Sequence, residues 1–372
     1  MDECHQNGAC LFIMHSFGGG AEFAALTLAR NLDESRFQAR LACFRHIPEL
    51  KKTVPPHIPF LAPTGPSLRQ RARVIRDIRR AARASRVVVG VPELQSIFWA
   101  ALFGKGKSVG WLHKDLAGYF AHKPGWYVRL YTAILGWAFS RCAAIVCVSQ
   151  GVLDSAHTLF PVSAMKLRVL CNPMDFAAIR ARAREPLPTS LAPCFAKPVI
   201  LGVGRLVPQK AFHVLIQSHA LLRAQGSDHN LCILGEGPER CALEREAERC
   251  NVRRSTFMPG FVNPYPAMRR AAALGLSSVF EGLPTVIMEA LSLGLPVAST
   301  DCPHGPAEIL AGGLYGRLTP MNDPAALAQA LAAVMSGKDR DKYIQAGLAR
   351  ARDFSLENTV AAWEGVLEEV AA

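Results

Sequence analysis

Short apolar segments alternate with longer segments of mixed polarity along nearly the whole chain, and this alternation constrains the fold more than any other feature. Each apolar segment has the length of a buried strand, and most are followed by a segment with helical periodicity. The predicted strands are Cys10–Met14, Arg40–Phe44, Val87–Val89, Ser108–Leu112, Ala143–Val148, Leu167–Leu170, Pro198–Val203, Asn230–Leu234, Thr256–Met258, Leu274–Leu276 and Pro296–Ser299. Repeated strand–helix–strand units predict an α/β protein with parallel sheets covered by helices.

A proline-containing stretch interrupts this alternation near the middle of the chain. Residues 180–193 hold three prolines and residues of mixed polarity, which is typical of an interdomain linker. A chain of 372 residues is also too long for one typical core. We therefore expect two α/β domains, residues 1–184 and 197–357, joined by a linker at residues 185–196. Because ligands of such sheets bind outside the carboxyl ends of the strands, the expected site is a cleft between the domains.

The entire net positive charge of the chain comes from its first half. Residues 1–190 carry 25 Lys and Arg residues against 12 Asp and Glu, whereas residues 191–372 carry 17 against 18. Eight arginines fall in one predicted helix, residues 69–86, and a second predicted helix, residues 124–141, mixes aromatic residues with arginines. This surplus favours an anionic membrane surface, a pyrophosphate-bearing acceptor or nucleic acid as partner. The alternative is that the aromatic residues are core and the arginines form a solvated face.

Composition excludes several classes of protein and of site. No run of about 18 apolar residues occurs, and the apolar segment 10–14 is far too short for a signal peptide or a membrane span. Eleven cysteines without a Cys-x-x-Cys pair favour a reduced, cytoplasmic setting. No metal site is expected, because His-x-x-x-His is absent and the Asp339–Asp341 pair lies between lysines.

The segment from Ser277 to Ala290 carries the most chemical information. Glu281 precedes a Gly-Leu-Pro turn, and Glu289 follows eight positions later on a predicted helix. Free N–H groups in the first turn of that helix favour an anion in the loop, and carboxylates can bind hydroxyl groups. The combination suits a sugar phosphate, although an ordinary loop-to-helix junction with two solvated glutamates would have the same spacing.

Further candidate residues lie where predicted strands end. The glycine loops at residues 18–20 and 235–238 allow a close approach of the backbone to a ligand. The loop at residues 204–210 contains an arginine and a lysine five positions apart, which can clamp a diphosphate. His113 ends another predicted strand. Each feature also has a purely structural interpretation: a tight turn, a charged surface loop or a structural histidine.

Together these segments resemble glycosyltransferase family 4, retaining sugar transferases of the GT-B architecture. The resemblance extends in the right order over nearly the full length. It rests on Ser16–Glu22, Val148–Ser149, Cys171–Asp175, Val203–Leu206 with Lys210, Leu234–Pro238, Pro259–Val262, Ser278–Ala290, Gly294–Val297 and Asp301–Leu310. It implies two Rossmann-like domains facing each other across a cleft, with a C-terminal helix, residues 358–372, packed on the first. The chain departs from the pattern at Ala211, where glycine is usual, and at His213, which replaces a common Asp.

The resemblance also implies roles for the candidate catalytic side chains. Arg205 and Lys210 would bind the diphosphate of the donor and stabilise the charge on the leaving group. Glu281 would contact the donor sugar, and His113 would lie beside that sugar. Glu289 would bind the ribose hydroxyls of the nucleotide. In this interpretation Glu281 and Glu289 are not the general acid and base of a glycoside hydrolase.

Backbone contacts to the donor are implied in the same way. Residues 260–262 would hold the base, residues 282–285 the sugar and phosphate, and residues 18–20 would lie against the diphosphate or the acceptor. The complete set of residues expected at the donor through such contacts is Gly18, Gly19, Gly20, Gly204, Gly235, Gly260, Phe261, Val262, Gly282, Leu283, Pro284 and Thr285.

The segment from Glu281 to Leu310 looks most like family members that build bacterial surface polysaccharides and lipid-linked oligosaccharides. We therefore expect a UDP-sugar donor that supplies a hexose or N-acetylhexosamine, with a GDP-sugar (mannosyl) donor as the alternative. The expected acceptor is a lipid-pyrophosphate or a saccharide, reached at the inner face of the cytoplasmic membrane, with no metal or other cofactor. A GT-B epimerase or phosphorylase is an alternative enzyme. A nucleic-acid-binding protein is the non-enzyme alternative, although no nucleic-acid-binding motif is present.

Overall fold

The chain forms two compact units. The computed structural model describes residues 8–15, 20–45, 54–65, 67–121 and 123–372. Unit 1 comprises Met1–Met174 together with Leu356–Ala372, and unit 2 comprises Asp175–Ser355.

Each unit is built on a parallel sheet. In chain order the strands are β1 (Gly8–Met14), β2 (Phe37–Cys43), β3 (Phe60–Leu61), β4 (Val87–Val91), β5 (Ser108–Leu112), β6 (Ala144–Cys147), β7 (Leu167–Val169), β8 (Val199–Val203), β9 (Asn230–Leu234), β10 (Thr256–Gly260), β11 (Ala273–Leu276), β12 (Val297–Thr300) and β13 (Arg317–Thr319). The sheet of unit 1 has the order β3-β2-β1-β4-β5-β6-β7, and that of unit 2 the order β10-β9-β8-β11-β12-β13. All pairings within both sheets are parallel.

Helices connect the strands, as parallel pairing requires. They are α1 (Gly20–Asn31), α2 (Leu68–Ala84), α3 (Glu93–Gly104), α4 (Leu116–Phe120), α5 (Gly125–Arg141), α6 (Gln150–Leu159), α7 (Phe176–Arg182), α8 (Phe212–Ala224), α9 (Arg240–Arg249), α10 (Tyr265–Met268), α11 (Thr285–Ser292), α12 (Pro306–Ile309), α13 (Pro324–Met335), α14 (Gly337–Ala351) and α15 (Leu356–Ala371). Several begin at a side-chain cap: the Ser149 hydroxyl accepts from the N–H of Val152, and the Asp323 carboxylate accepts from that of Ala326.

The central strands of unit 1 are buried along their whole length. Every residue of β1, β4, β5 and β6 is buried, as expected of strands covered on both faces. Gly90 of β4 permits the close approach of α3, because a Cβ there would lie 2.6 Å from the Ile97 Cα. The two predicted α/β units with parallel sheets are thus confirmed.

The division between the units falls after Met174, whereas the sequence analysis placed it after residue 184 with a linker at 185–196. Phe176 and Ile179 of α7 are buried in unit 2. The expected linker also packs there: Cys194 is buried, and its carbonyl accepts a hydrogen bond of 2.8 Å from the side-chain amide of Asn230. Prolines end regular secondary structure, but they do not prevent apolar residues between them from joining a core.

The last helix, α15, returns to unit 1. Trp363 is fully buried, and its ring centroid lies 4.3 Å from that of Trp111 on β5. Arg36 forms salt bridges with Glu364 and Glu368, at 2.7 and 2.5 Å. The aromatic contact is the larger contribution to stability, because it buries two indole rings, whereas the Arg36 side chain is 40% exposed and its ion pairs are partly screened.

Substitution Trp363→Ala is expected to destabilise unit 1 by about 3–5 kcal/mol, because it removes a fully buried indole. The matched control is Trp126→Ala in the same unit, where the side chain is 70% exposed, and a change within about 0.5 kcal/mol is expected. Urea unfolding followed by circular dichroism measures both. Equal effects of the two substitutions would contradict the docking of α15 through Trp363.

No helix in the part of the chain that the structure describes is long and apolar enough to span a bilayer.

Candidate functional site

The candidate residues of unit 2 share one edge of its sheet. Because all six strands are parallel, the loops that follow them emerge at the same, carboxyl edge. These loops contain Gly204–Lys210 after β8, Gly235–Pro238 after β9, Phe261 and Val262 after β10, and Ser277–Pro284 after β11. Sequence segments more than 70 positions apart are therefore brought to one place.

The loop after β8 positions Lys210 at the end of a short 3-10 turn, Pro208–Lys210. Ala211 follows in the left-handed conformation, with φ 42° and ψ 42°, and is buried. The family resemblance implies glycine at this position, and the backbone conformation is one that favours glycine, since a Cβ is unfavourable there. Ala211 therefore keeps the left-handed backbone conformation that a glycine would adopt at this position. Arg205 is exposed in the same loop.

Lys210 and Glu281 form an ion pair. The Lys210 Nζ lies 2.5 Å from Glu281 Oε1, and the two side chains are only 16% and 9% exposed. The hydroxyl of Ser278 donates to the same oxygen at 2.6 Å. Since an ammonium has three N–H donors, Lys210 can bind a phosphate oxygen while it keeps this contact.

Further hydrogen bonds fix the two loops that carry this pair. The Ser277 hydroxyl donates to the Lys210 carbonyl at 2.8 Å, and the Gln209 side-chain amide donates to the Phe280 carbonyl at 2.9 Å. The Thr300 hydroxyl donates to the Ser278 carbonyl at 2.6 Å. The backbones that carry Lys210 and Glu281 are therefore fixed by hydrogen bonds, which limits the reorganisation of the two side chains when a ligand binds. Sequence reasoning had singled out neither Ser278 nor Gln209 for a role.

The glycine loop after β9 packs directly on the loop after β8. A Cβ at Gly235 would lie 1.9 Å from the Gly204 carbonyl oxygen, which only glycine avoids. The Leu206 N–H donates to the Glu236 carbonyl at 2.9 Å, and the Gly235 N–H donates to the Gly260 carbonyl at 2.9 Å. The predicted glycine positions therefore serve contacts between neighbouring loops, and these contacts support the backbone that carries Arg205.

The loop after β10 presents Phe261 to solvent, with 87% of the residue exposed. Val262 is half-buried beside it. The salt bridge between Glu236 and Arg240 lies over the preceding residue, Gly260. The exposed ring and backbone form an accessible rim at the sheet edge.

Glu289 lies one turn into α11. The residues before the helix, Gly282–Pro284, are buried, and Pro284 provides no side-chain cap for the first turn. The helix N-terminus therefore offers uncapped N–H groups beside Glu281. Burial raises the pKa of Glu289 to about 7, and this shift is opposed by a hydrogen bond from Thr285 and by the charge of Arg182.

Two residues beside Glu289 were not identified from the sequence. The Arg182 guanidinium lies 4.9 Å from the centroid of the Tyr265 ring. The pKa of Tyr265 is raised by burial and by the neighbouring Glu289 carboxylate. Arg182 comes from α7, in the segment that the sequence analysis assigned near a linker. Only the packing of α7 against α10 and α11 brings it to this site.

The candidate residues of unit 1 lie at the carboxyl edge of the other sheet. His113 follows β5, is half-buried, and its ring lies 4.7 Å from that of Trp111. Burial and the nearby Lys114 lower the pKa of His113 to about 3, so the imidazole is neutral at physiological pH. Gly20 is the first residue of α1. Gly18 and Gly19 lie outside the described residues.

Among the residues that the structure describes, no three His, Cys, Asp or Glu side chains are grouped so that they could hold a metal ion.

The fold places the chain in a recognised class. A crystal structure of HepE from Anabaena in complex with UDP-glucose superposes with a TM-score of 0.78 at 19% identity, covering 97% of this chain and 99% of that one. The apo form of the lipopolysaccharide outer core galactosyltransferase WaaB gives a TM-score of 0.70 at 18% identity, with 97% and 99% coverage. The two Rossmann-like units are those of the GT-B fold, as predicted.

Sequence models of known families identify the family. The model described as Glycosyltransferase Family 4 matches residues 18–178, and that described as Glycosyl transferases group 1 matches residues 194–350. The chain therefore belongs to glycosyltransferase family 4 and is a glycosyltransferase. The predicted resemblance is confirmed.

Curated relatives match part of the sequence. An uncharacterized glycosyltransferase of Methanocaldococcus jannaschii is 26% identical over 279 residues, which span 67% of this chain and 69% of that protein. A protein of Campylobacter jejuni, N-acetylgalactosamine-N,N'-diacetylbacillosaminyl-diphospho-undecaprenol 4-alpha-N-acetylgalactosaminyltransferase, is 28% identical over 223 residues. This second match spans 59% of each chain.

Substitution Ala211→Gly is expected to stabilise the protein by about 0.5–1 kcal/mol, because it removes a Cβ from a left-handed residue. Ala220→Gly in α8 is the control, and it should destabilise by about 1 kcal/mol. Thermal unfolding of both variants tests this. A loss of stability in Ala211→Gly equal to that of the control would show that position 211 carries no strain.

Glu289 should make stability pH-dependent. Its pKa is raised from the ordinary 4.5 to about 7, so the unfolded chain loses this proton first and stability falls as the pH rises from about 4.5 to 7. Glu289→Gln is expected to be more stable than the wild type by about 2 kcal/mol at pH 8 and equally stable at pH 4. The exposed Glu248 gives the control Glu248→Gln, and urea unfolding across pH 4–8 is the measurement. A pH-independent difference would refute the raised pKa.

Proposed function

We propose that this protein is a retaining glycosyltransferase that transfers a hexose or N-acetylhexosamine from a UDP-sugar to a lipid-linked or saccharide acceptor in the synthesis of a bacterial surface polysaccharide or lipopolysaccharide. The observation that carries the proposal is the Lys210–Glu281 ion pair, shielded from solvent beside the uncapped start of α11. A cation, a carboxylate and free N–H groups in one place suit a sugar joined to a diphosphate.

The donor would bind along the carboxyl edge of the unit 2 sheet. Arg205 and Lys210 bind the diphosphate, and Glu281 accepts hydrogen bonds from hydroxyls of the sugar. Glu289 accepts hydrogen bonds from the ribose hydroxyls, and Gly260–Val262 hold the base. Residues 282–285 supply backbone contacts to the sugar and phosphate. A UDP donor is supported by the HepE neighbour, which was crystallised with UDP-glucose.

The reaction breaks the bond between the anomeric carbon and the diphosphate and forms a bond from that carbon to an acceptor oxygen. Departure and attack occur on the same face of the sugar, and the leaving phosphate takes the proton of the acceptor hydroxyl. Arg205, Lys210 and the start of α11 stabilise the charge that develops on the diphosphate, so no metal ion is required. The imidazole of His113 is neutral at physiological pH, which suits a hydrogen bond to a sugar hydroxyl. The proposed role of His113 is therefore a contact with the donor sugar.

The acceptor would approach unit 1, which carries 22 Lys and Arg residues against 14 Asp and Glu. The eight arginines at residues 69–86 are all exposed, while Val74, Ile78 and Ala82 bury the opposite face of α2. Trp126 and Leu130 of α5 are also exposed. These surfaces support docking at an anionic membrane from the cytoplasmic side, where a lipid-pyrophosphate acceptor is available. The name of the Campylobacter jejuni relative refers to a diphospho-undecaprenol substrate, which supports the same class of acceptor.

The deciding experiment is a thermal-shift panel of UDP- and GDP-sugars, followed by turnover with a lipid-pyrophosphate acceptor. Stabilisation by a UDP-sugar and UDP release that depends on the acceptor would support the proposal. Stronger stabilisation by a GDP-sugar would contradict the proposed UDP-sugar donor. Conversion of the donor in the absence of an acceptor would indicate an epimerase instead.

Substitutions Lys210→Ala and Arg205→Ala are each expected to lower kcat by about 10²–10³-fold or more, because each removes a fixed cation from the leaving group. Lys197→Ala is the control in the same unit, since Lys197 pairs with the exposed Asp228 in a surface salt bridge. Steady-state transfer assays measure the effect. Near-normal turnover in both site variants would show that Arg205 and Lys210 do not stabilise the leaving diphosphate.

A further inference from the structure

Helix α7 brings an arginine to the edge of the proposed nucleotide site. The guanidinium of Arg182, the last residue of α7, lies 4.9 Å from the centroid of the Tyr265 ring on α10. A cation over the face of a phenol ring is attracted by the quadrupole of the ring. Because Arg182 is otherwise exposed, this contact restricts where its guanidinium can lie. The proposed donor contacts assign no role to either residue.

Hydrogen bonds fix the segment after α7 to the same place. The Asn263 side-chain amide donates to the Glu185 carboxylate at 2.9 Å, and the Asn263 side-chain carbonyl accepts from the N–H of Tyr265 at 3.3 Å. Helix α7 also packs against both α10 and α11, and all of these residues belong to unit 2. The end of α7 is therefore held against the residues that follow the proposed base-holding loop, residues 260–262.

The charge of Arg182 acts on Glu289 of α11. Burial, the largest influence, raises the pKa of Glu289 to about 7, whereas a hydrogen bond from Thr285 and the charge of Arg182 lower it. Burial and the charge of Glu289 in turn raise the pKa of Tyr265. A carboxyl group with such a pKa is about half ionised at neutral pH, so a small change in its surroundings alters its charge.

Other charged groups on the elements packed around α11 have partners of their own. Lys210 pairs with Glu281 in the loop before α11. Helix α14 also packs against α11, and its Arg350 donates to the carbonyl of Glu308 at 2.8 Å and pairs with Asp353. Among the described residues, the cation that shifts the pKa of Glu289 is therefore the one supplied by α7.

We infer that Arg182, held against the Tyr265 ring, is a positioning residue that keeps the Glu289 carboxylate ionised for the ribose hydroxyls of the donor. This inference rests on the proposed function, since it takes Glu289 to bind a ribose. An ionised carboxylate accepts hydrogen bonds from two hydroxyls with both oxygens, whereas a protonated carboxyl has one oxygen that acts as a donor. Burial favours the protonated form, and a neighbouring cation opposes it without having to touch the nucleotide.

The test is a calorimetric titration of the full-length protein with UDP and with 2′,3′-dideoxy-UDP between pH 6 and pH 9. The ratio of the two affinities reports the ribose hydroxyls alone, because both ligands carry the same base and diphosphate. In the wild type, UDP should bind at least about tenfold more tightly than the dideoxy compound at pH 9. This advantage should decrease as the pH falls through about 7, because Glu289 becomes protonated.

The variant Arg182→Gln removes the charge. Its advantage for UDP should be about three- to fivefold smaller than that of the wild type at pH 7 and nearly equal to it at pH 9, since loss of the cation raises the pKa of Glu289 by about one pH unit. Arg182→Lys keeps the charge and should restore most of the wild-type profile. The matched control Arg180→Gln removes an exposed arginine from the same helix and should leave the profile unchanged.

A double variant shows whether Arg182 acts through Glu289. In Glu289→Gln the advantage for UDP should be small and independent of pH, and the addition of Arg182→Gln should not reduce it further. A further reduction would overturn the inference, because Arg182 would then act on the nucleotide or the fold independently of Glu289. An equal loss at every pH in Arg182→Gln alone would overturn it as well.

Failure of this inference differs from failure of the proposed function. Absence of UDP binding in the wild type would reject the proposed donor, whereas normal binding with a wild-type pH profile in Arg182→Gln would reject the role of Arg182 alone. Urea unfolding without ligand gives an independent measurement. The pH range over which stability falls should extend about one pH unit higher in Arg182→Gln, because Glu289 then ionises later in the folded protein. An unchanged range would contradict the charge interaction between the two residues.

Discussion

Parallel pairing of the strands is the constraint on which the rest of this structure depends. When all strands of a sheet run in one direction, their connecting loops must emerge at a common edge. In unit 2 this edge collects the loops that carry Lys210, Glu281 and the glycines after β8, β9 and β10. The ion pair between Lys210 and Glu281 joins two of these loops and neutralises the charge of each side chain where solvent is scarce.

The strength of the sequence signal differs among the elements. Ser108–Leu112 and Asn230–Leu234 have the predicted bounds, because each has a compact apolar pattern. Helix α3 was not predicted, since its sequence is apolar on nearly all sides and shows little helical periodicity. Strand β13 has three residues, one of them exposed, at the edge of the sheet. Such a short strand forms because it pairs with the neighbouring strand β12, and its own composition gives little indication of it.

The residues of the candidate site also differ in how far the sequence predicts them. Sequence spacing identified Lys210, Glu281 and Glu289 as candidates, since their residue types and loop positions are informative by themselves. It did not reveal that Ser278 donates to Glu281 or that Arg182 and Tyr265 lie beside Glu289. These contacts depend on helix packing between distant segments. The position of Arg182 could not be predicted, because the proline-containing segment indicated a linker where the structure has the packed helix α7.

The return of α15 to unit 1 affects the order in which the protein can fold during its synthesis. Unit 2 is one continuous stretch, Asp175–Ser355, and all of its residues are synthesised before those of α15. Unit 1 is interrupted, and Trp111 remains without Trp363 until α15 has been synthesised. Although unit 1 is begun first, it is therefore completed last, and its exposed indole surface makes it the part that most needs protection from aggregation in the nascent chain.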